Sequence, residues 1–293
     1  MNGTTGLNQG SFCSAENVDP ETNAGFTKVD YSVSAGLARR LNGLGLSLAF
    51  SSYRSGFLYM AGVKPGGGVN IHQMAFHRPM GIHRHSAHGL SVAADNQILH
   101  HLNGLAIQDG QPRYVTAVSR SDTIDGWRDR RADGGIIIDA ETNDIVCDGL
   151  SMPHLPRLHE GRLWLLNSGR GELGTMEFDQ NGKGNFEPHV FCPGFTRGLA
   201  LNGRYAFVGL SKPRYKRFEG LEPDARLAAA DSVPWCGIQI IDLETRTCVD
   251  WLRIDGAESE LYDLEHFPGH LCPVAIAPGT PEAATLKTLP KSA

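Results

Sequence analysis

Gly135-Ile-Ile-Ile-Asp139-Ala-Glu-Thr142 and Gly237-Ile-Gln-Ile-Ile-Asp242-Leu-Glu-Thr245 are two copies of one phrase. In each, an apolar run rich in Ile follows a Gly and closes on an Asp. A polar turn comes next, then a second apolar stretch holding Cys147 or Cys248. Ile favours the extended chain, and Asp and Thr organise tight turns, so each copy reads as strand, turn, strand. A looser copy is Gly174-Thr-Met-Glu-Phe-Asp179-Gln-Asn-Gly182. A degenerate one is Gly56-Phe-Leu-Tyr-Met60, followed by the turn Lys64-Pro-Gly-Gly-Gly68.

A second phrase lies between these copies. It holds a small residue or His, an apolar pair, a short turn and an aromatic-rich strand. Its instances are Asn103-Gly-Leu-Ala106 with Tyr114-Val-Thr-Ala117, Met152-Pro-His154 with Arg162-Leu-Trp-Leu-Leu166, and Arg197-Gly-Leu-Ala200 with Arg204-Tyr-Ala-Phe-Val208. Pro79-Met-Gly-Ile82 begins another. Each pair reads as a hairpin. Alternating the two phrases gives a four-stranded unit of about 40–50 residues, the length of a propeller blade.

The expected fold is therefore all-β: a β-propeller of about five four-stranded blades, one of them incomplete near residues 78–100. Blades start near Arg78, His101, Ser151 and Thr196. Residues 46–74 supply the outer strands of a first blade, and Glu260-Leu-Tyr-Asp263-Leu closes it as the inner strand. A β-sandwich would explain the number of strands but not their repeating order. The incomplete blade follows from spacing, because Gly81 and Gly104 lie only 23 residues apart. The domain expectation is a polar leader over 1–40, one propeller over 46–273 and a tail over 275–293.

Composition agrees with many short strands. The chain has 293 residues, 35 of them Gly, with 41% hydrophobic and 20% charged residues. Such a chain can bury a core, and its glycines lack the period of three that collagen needs. Net charge is −5, and the densest basic run (Lys212, Arg214, Lys216, Arg217) is short. Nucleic acid is therefore not an expected partner. The six cysteines form no C-x-x-C pair, which argues for free thiols in a reducing compartment. The first residues carry no basic start and no apolar stretch, and no window is long and apolar enough to span a bilayer. The expectation is a cytoplasmic protein without a membrane partner.

The run from His101 to Pro268 also resembles a family of uncharacterised bacterial proteins, the conserved hypothetical CHP03032 type. The resemblance is carried by H-L-N-G-L-A (101–106), P-R-Y-V-T-A (112–117), G-W-R (126–128) and G-L-S-M-P-H (149–154). Further on it is carried by W-L-L-N-S-G (164–169), P-G-F-T-R-G-L (193–199) and F-V-G-L-S-K (207–212), and upstream by R-P-M-G (78–81). It implies a propeller-like fold and brings no activity with it. Members of that type look several tens of residues longer between R-P-M-G and H-L-N-G, so the resemblance puts a deletion where the blade spacing is short.

In a propeller, residues at the start of inner strands face the central channel, where ligands bind. The phrases place Arg78, Asn103, His154, Arg197 and Asp263 (or Glu260) there, with His101 beside Asn103. Arg78 and Arg197 suit a carboxylate or phosphate. The same positions can instead serve packing by linking blades. His101 and His154, with a carboxylate such as Asp263, form a candidate divalent-metal set. His83 and His85 share one strand face, an arrangement with a similar but weaker claim.

Three functions follow as alternatives. The first is a binding module for a polar or anionic small molecule or a peptide at the channel mouth. The second is a metal-dependent hydrolase or oxidoreductase. The third is a truncated family member without activity. The first expects Arg197→Ala to abolish binding while leaving the thermal melt near normal.

Overall fold

A computed structural model of the chain describes residues 30–285 apart from 87–88, 95–101, 121–127, 214–217, 219, 257 and 277–279. The N-terminal part holds β1 (Asp30–Val33), α1 (Leu37–Leu44), β2 (Leu46–Ser52), β3 (Phe57–Val63), β4 (Val69–Ala75), β5 (Pro79–Ser86) and β6 (Gly89–Ala94). The middle holds β7 (Leu102–Gln108), β8 (Gln111–Ala117), β9 (Gly135–Asp139), β10 (Ile145–Leu150), β11 (Pro153–His159), β12 (Arg162–Asn167), β13 (Glu172–Phe178) and β14 (Gly184–Phe191). The last part holds β15 (Phe195–Asn202), β16 (Tyr205–Ser211), α2 (Pro223–Ala229), β17 (Cys236–Asp242), β18 (Thr247–Asp255), β19 (Asp263–Pro268) and α3 (Pro281–Thr285).

The sheets are small, antiparallel and arranged in a ring, a propeller. The first blade is β19-β2-β3-β4, so the last strand pairs with one of the first and closes it. The second, among the described residues, is a half-blade, β5-β6. The third is β7 to β10, the fourth β11 to β14, and the fifth β15 to β18 with β1 added outside. Inner strands stand side by side in the order β7, β11, β15, β19, β5.

Four core clusters match four of the interfaces between blades. Phe50, Tyr59, Phe207 and Ile240 join the first blade to the fifth. Trp164, Leu173, Val208 and Leu210 join the fourth to the fifth. Ala106, Ile137, Leu165 and Met176 join the third to the fourth. Leu58, Ile82 and Phe267, with Met60, Met74, Phe76, Leu90 and Val92 packed beside them, join the half-blade to the first. Among the described residues no such cluster joins the half-blade to the third, and Leu102, Leu105 and Ile107 of β7 are left exposed.

The repeated Ile-Asp phrase is the third strand of a blade and the turn that leaves it. Asp139 Oδ1 accepts the N–H groups of Glu141 at 2.9 Å and Thr142 at 3.4 Å, and Arg113 of β8 donates to the same oxygen. Asp242 repeats this with Glu244, Thr245 and Arg204, which stands just ahead of β16. Burial alone would raise the Asp139 carboxyl, but the Arg113 hydrogen bond and the two N–H groups hold it below the usual carboxylate range. The Arg204 hydrogen bond, against burial, does the same for Asp242.

Residues 1–29 of the segment read as a leader lie outside the described residues. From Asp30 the chain is built into the fold. β1 pairs with β18, and Leu37 and Leu41, one turn apart on α1, are fully buried between the first and fifth blades. At the other end, Leu271 O accepts the Val63 N–H at 2.6 Å. Cys147, Cys192 and Cys236 are buried free thiols, and burial pushes the Cys147 thiol up to about 11. Cys13 lies outside the described residues, as do Arg214, Lys216 and Arg217 of the basic run. Among the described residues no helix is long and apolar enough to cross a membrane.

Candidate functional site

All inner strands run the same way along the channel, so their first residues gather at one mouth. Four of the five carry a break in register there: between Pro79 and Ile82, Leu102 and Gly104, His154 and Arg157, and Thr196 and Leu199. A bulge of this kind bends a strand and re-aims its side chains. The residue at the bulge is Gly81, Gly104, Leu155 or Gly198. Gly104 lies so close to Leu155 that an added Cβ would come within 2.5 Å of the Leu155 nitrogen. Gly198, at φ +87°, is also packed closely, with an added Cβ coming within 2.8 Å of the Leu264 Cβ. The bulges therefore let successive inner strands touch.

Near these strand starts, side chains reach toward the next inner strand. The His154 ring meets Phe195 edge-on at 5.5 Å, and its Nδ1 lies 2.7 Å from the Met152 carbonyl. Arg197 donates to Glu260 at 2.6 Å and lies 4.6 Å over the Tyr262 ring. Asp263 accepts the Ile82 N–H at 2.9 Å and the Leu264 N–H at 2.7 Å. Asn103 stands at the same place on β7, with its buried Nδ2 finding no acceptor among the described residues. These contacts tie neighbouring blades together.

Arg78 sits one residue ahead of β5, exposed, at φ 44°. Its guanidinium lies 5.7 Å from the Tyr53 ring centre. Tyr53 in turn meets Tyr262 at 6.3 Å, and Tyr262 lies beneath Arg197. The structure thus brings Arg78 and Arg197 onto one ladder, Arg-Tyr-Tyr-Arg. Both arginines were expected at the channel, but the tyrosines between them were not. Residues 53 and 262 are too far apart in sequence for any local signal.

Arg157 is the other residue that sequence reasoning missed. Its guanidinium donates to Leu105 O of β7 at 3.3 Å and lies 3.7 Å from Asp263 Oδ1 of β19. It therefore spans the ring. The signal was the run Pro153-His-Leu-Pro-Arg157, where Leu155 at φ 50° makes the bulge without a glycine. Burial pushes the Asp263 carboxyl up to about 6, against the pull of Arg157 and the two N–H groups. Glu265, also near Arg157, is held below its ordinary value by its hydrogen bond to His266, although burial acts the other way.

Arg197 is not the clean probe of binding that the sequence suggested. Its side chain and that of Glu260 are 14% and 5% exposed. Arg197→Ala would take a close ion-pair partner from the buried Glu260 and lower the melt as well.

For the metal reading, His101 lies outside the described residues. Among the described residues, no three His, Cys, Asp or Glu side chains come together as a metal site. His83 and His85 both lie exposed on one face of β5, as their spacing requires. Two open clefts lie at the opposite end of the ring, one of about 650 Å³ between the β7–β8 and β11–β12 turns and one of about 900 Å³ between the β7–β8 and β9–β10 turns.

No curated protein matches this sequence. Among solved structures, it is similar to a chain of the nidogen/laminin complex. That likeness has 12% identity and a TM-score of 0.37, over 77% of this chain and 99% of that one. It is also similar to dihydro-heme d1 dehydrogenase NirN in complex with DHE. Here identity is 17% and the TM-score 0.30, over 71% of this chain and 35% of that one. Neither likeness bears on function. A family model does match residues 99–276, more than half of the chain, and those residues contain every strand from β7 to β19; the chain belongs to the family described as a domain of unknown function, DUF4915.

Proposed function

We propose that the protein is a binding module that takes a small anionic molecule, or an acidic peptide end, at the channel mouth. The observation that carries this reading is the Arg78-Tyr53-Tyr262-Arg197 ladder. Guanidinium groups held over aromatic rings keep their donors pointed outward in a fixed plane, the geometry that suits carboxylate and phosphate. Arg197 Nε and Asn103 Nδ2 add donors that find no acceptor among the described residues. Buried donors of this kind favour a ligand that supplies acceptors. The finer resemblance to the CHP03032 type belongs to the same reading, since R-P-M-G, H-L-N-G and T-R-G-L fall at three inner-strand starts.

The test is titration calorimetry with inorganic phosphate, citrate and a tetraglutamate peptide. At least one probe should bind the wild-type chain. Arg78→Ala removes an exposed guanidinium, so it should weaken that binding by about tenfold or more while the melt stays within a degree or two. Tyr53→Ala, which removes the ring between the arginines, should weaken it too. Failure of all three probes, or wild-type affinity in both variants, would overturn the proposal.

A further inference from the structure

Among the described residues the half-blade has two strands where the other blades have four or five. Its outer strand β6 pairs only with β5 among the described residues. Exposed strand edges are templates for further pairing, and proteins usually blunt them with charge or proline. β6 is Gly-Leu-Ser-Val-Ala-Ala and has neither. The outermost strands β10, β14 and β1 do carry them: Asp148, Glu187 with Pro188, and Asp30. β4 carries none, but the Ala275 N–H donates to His72 on it.

The space beside β6 is bordered by apolar side chains. Met60, Met74 and Phe76 of the first blade are only partly buried there. Leu90 and Val92 of β6 point the same way, while Ser91 and Ala93 are exposed on the other face.

We infer that β6 pairs with β6 of a second copy of this chain, so that two half-blades join into one four-stranded sheet. The symmetry supports it. A two-fold axis through Ser91 makes the two β6 strands antiparallel, the sense in which β5 already pairs with β6. The joined order would be β5-β6-β6-β5, the strand number of a full blade. In this register Leu90 faces Val92 of the other copy, on the side where Met60 and Met74 lie, and Ser91 faces Ser91. The contact gives each half-blade two further strands without any new element.

Sedimentation velocity on the full chain tests this, at concentrations up to about 100 µM, where a contact as weak as ~10 µM is populated. The wild-type protein should sediment at twice the 31.8 kDa chain mass. Ser91→Lys and Ser91→Glu each put like charges directly opposite one another, so each alone should sediment as a monomer. An equal mixture of the two should dimerise again. A monomeric wild type would overturn the inference. So would dimers that persist in both variants, or a mixture that stays monomeric. Because residue 91 is exposed, a folded monomer in each variant is checked by an unchanged melt.

Discussion

Asp263 is 3% exposed and is held by two backbone N–H groups and the more distant Arg157. Burial wins over these partners and raises its carboxyl from 3.8 to about 6. The native state therefore holds a proton that the unfolded chain has already released between those values. Where the native state binds more protons, stability falls as pH rises. The Asp263 contribution is thus greatest near pH 4 and is lost as pH climbs through about 6, by on the order of 3 kcal/mol. Glu265 acts in the opposite sense, since its value is lowered and its contribution is lost on acidification. Asp263→Asn should isolate the first effect. Urea melts at pH 4, 5, 6 and 7 should show the wild-type advantage over the variant shrinking as pH rises. An advantage that stays flat or grows would mean that Asp263 is ionised throughout and acts as a partner of Arg157.

At the scale of elements, the inner strands touch because their bulges remove side chains where backbones meet. An added Cβ at Gly104 would sit 2.5 Å from the Leu155 nitrogen and 2.7 Å from Pro156 Cδ, neither of which can swing aside. Gly104→Ala should destabilise by about 1–3 kcal/mol through overpacking. Gly198→Ala should cost more, because its φ of +87° adds backbone strain of about 1–2 kcal/mol. Thermal melts of the two variants, with Gly203→Ala as a control that meets no neighbour but shares the positive φ, separate crowding from strain. What was legible in the sequence follows the same line. The Ile-Asp phrase was readable because Asp139 and Asp242 make their turn bonds within three residues. The short interval before Gly104 was readable as spacing. Arg157 and the Tyr53–Tyr262 contact were not, because their meaning lies in strands brought together across the ring. β1 and α1 were missed for a related reason: four residues and a single Leu37–Leu41 pair are too little pattern to stand out from a polar segment.

For the whole molecule, stability is shared among interfaces between blades, and the share is uneven. The first, fourth and fifth blades each pack on both sides. Among the described residues the half-blade has a core cluster only on the side of the first blade. Two strands alone are marginal in water, so β5 and β6 depend on the packing of Ile82, Leu90 and Val92 against the first blade and on the burial of Pro79 and Met80. Local opening should therefore begin there, while β16 and β17, packed in the middle of the fifth blade, open only with the whole fold. Hydrogen exchange on dilute protein, below the concentration at which copies associate, should show β5 and β6 amides protected at least about a hundredfold less than those of β16 and β17. Raising the concentration should slow exchange on β6 more than on β5, since β5 already has its partner within the chain. Equal protection of β6 and β17 in the dilute protein would mean that the half-blade is held from a second side by the chain itself, and that the ring is closed without help from another copy.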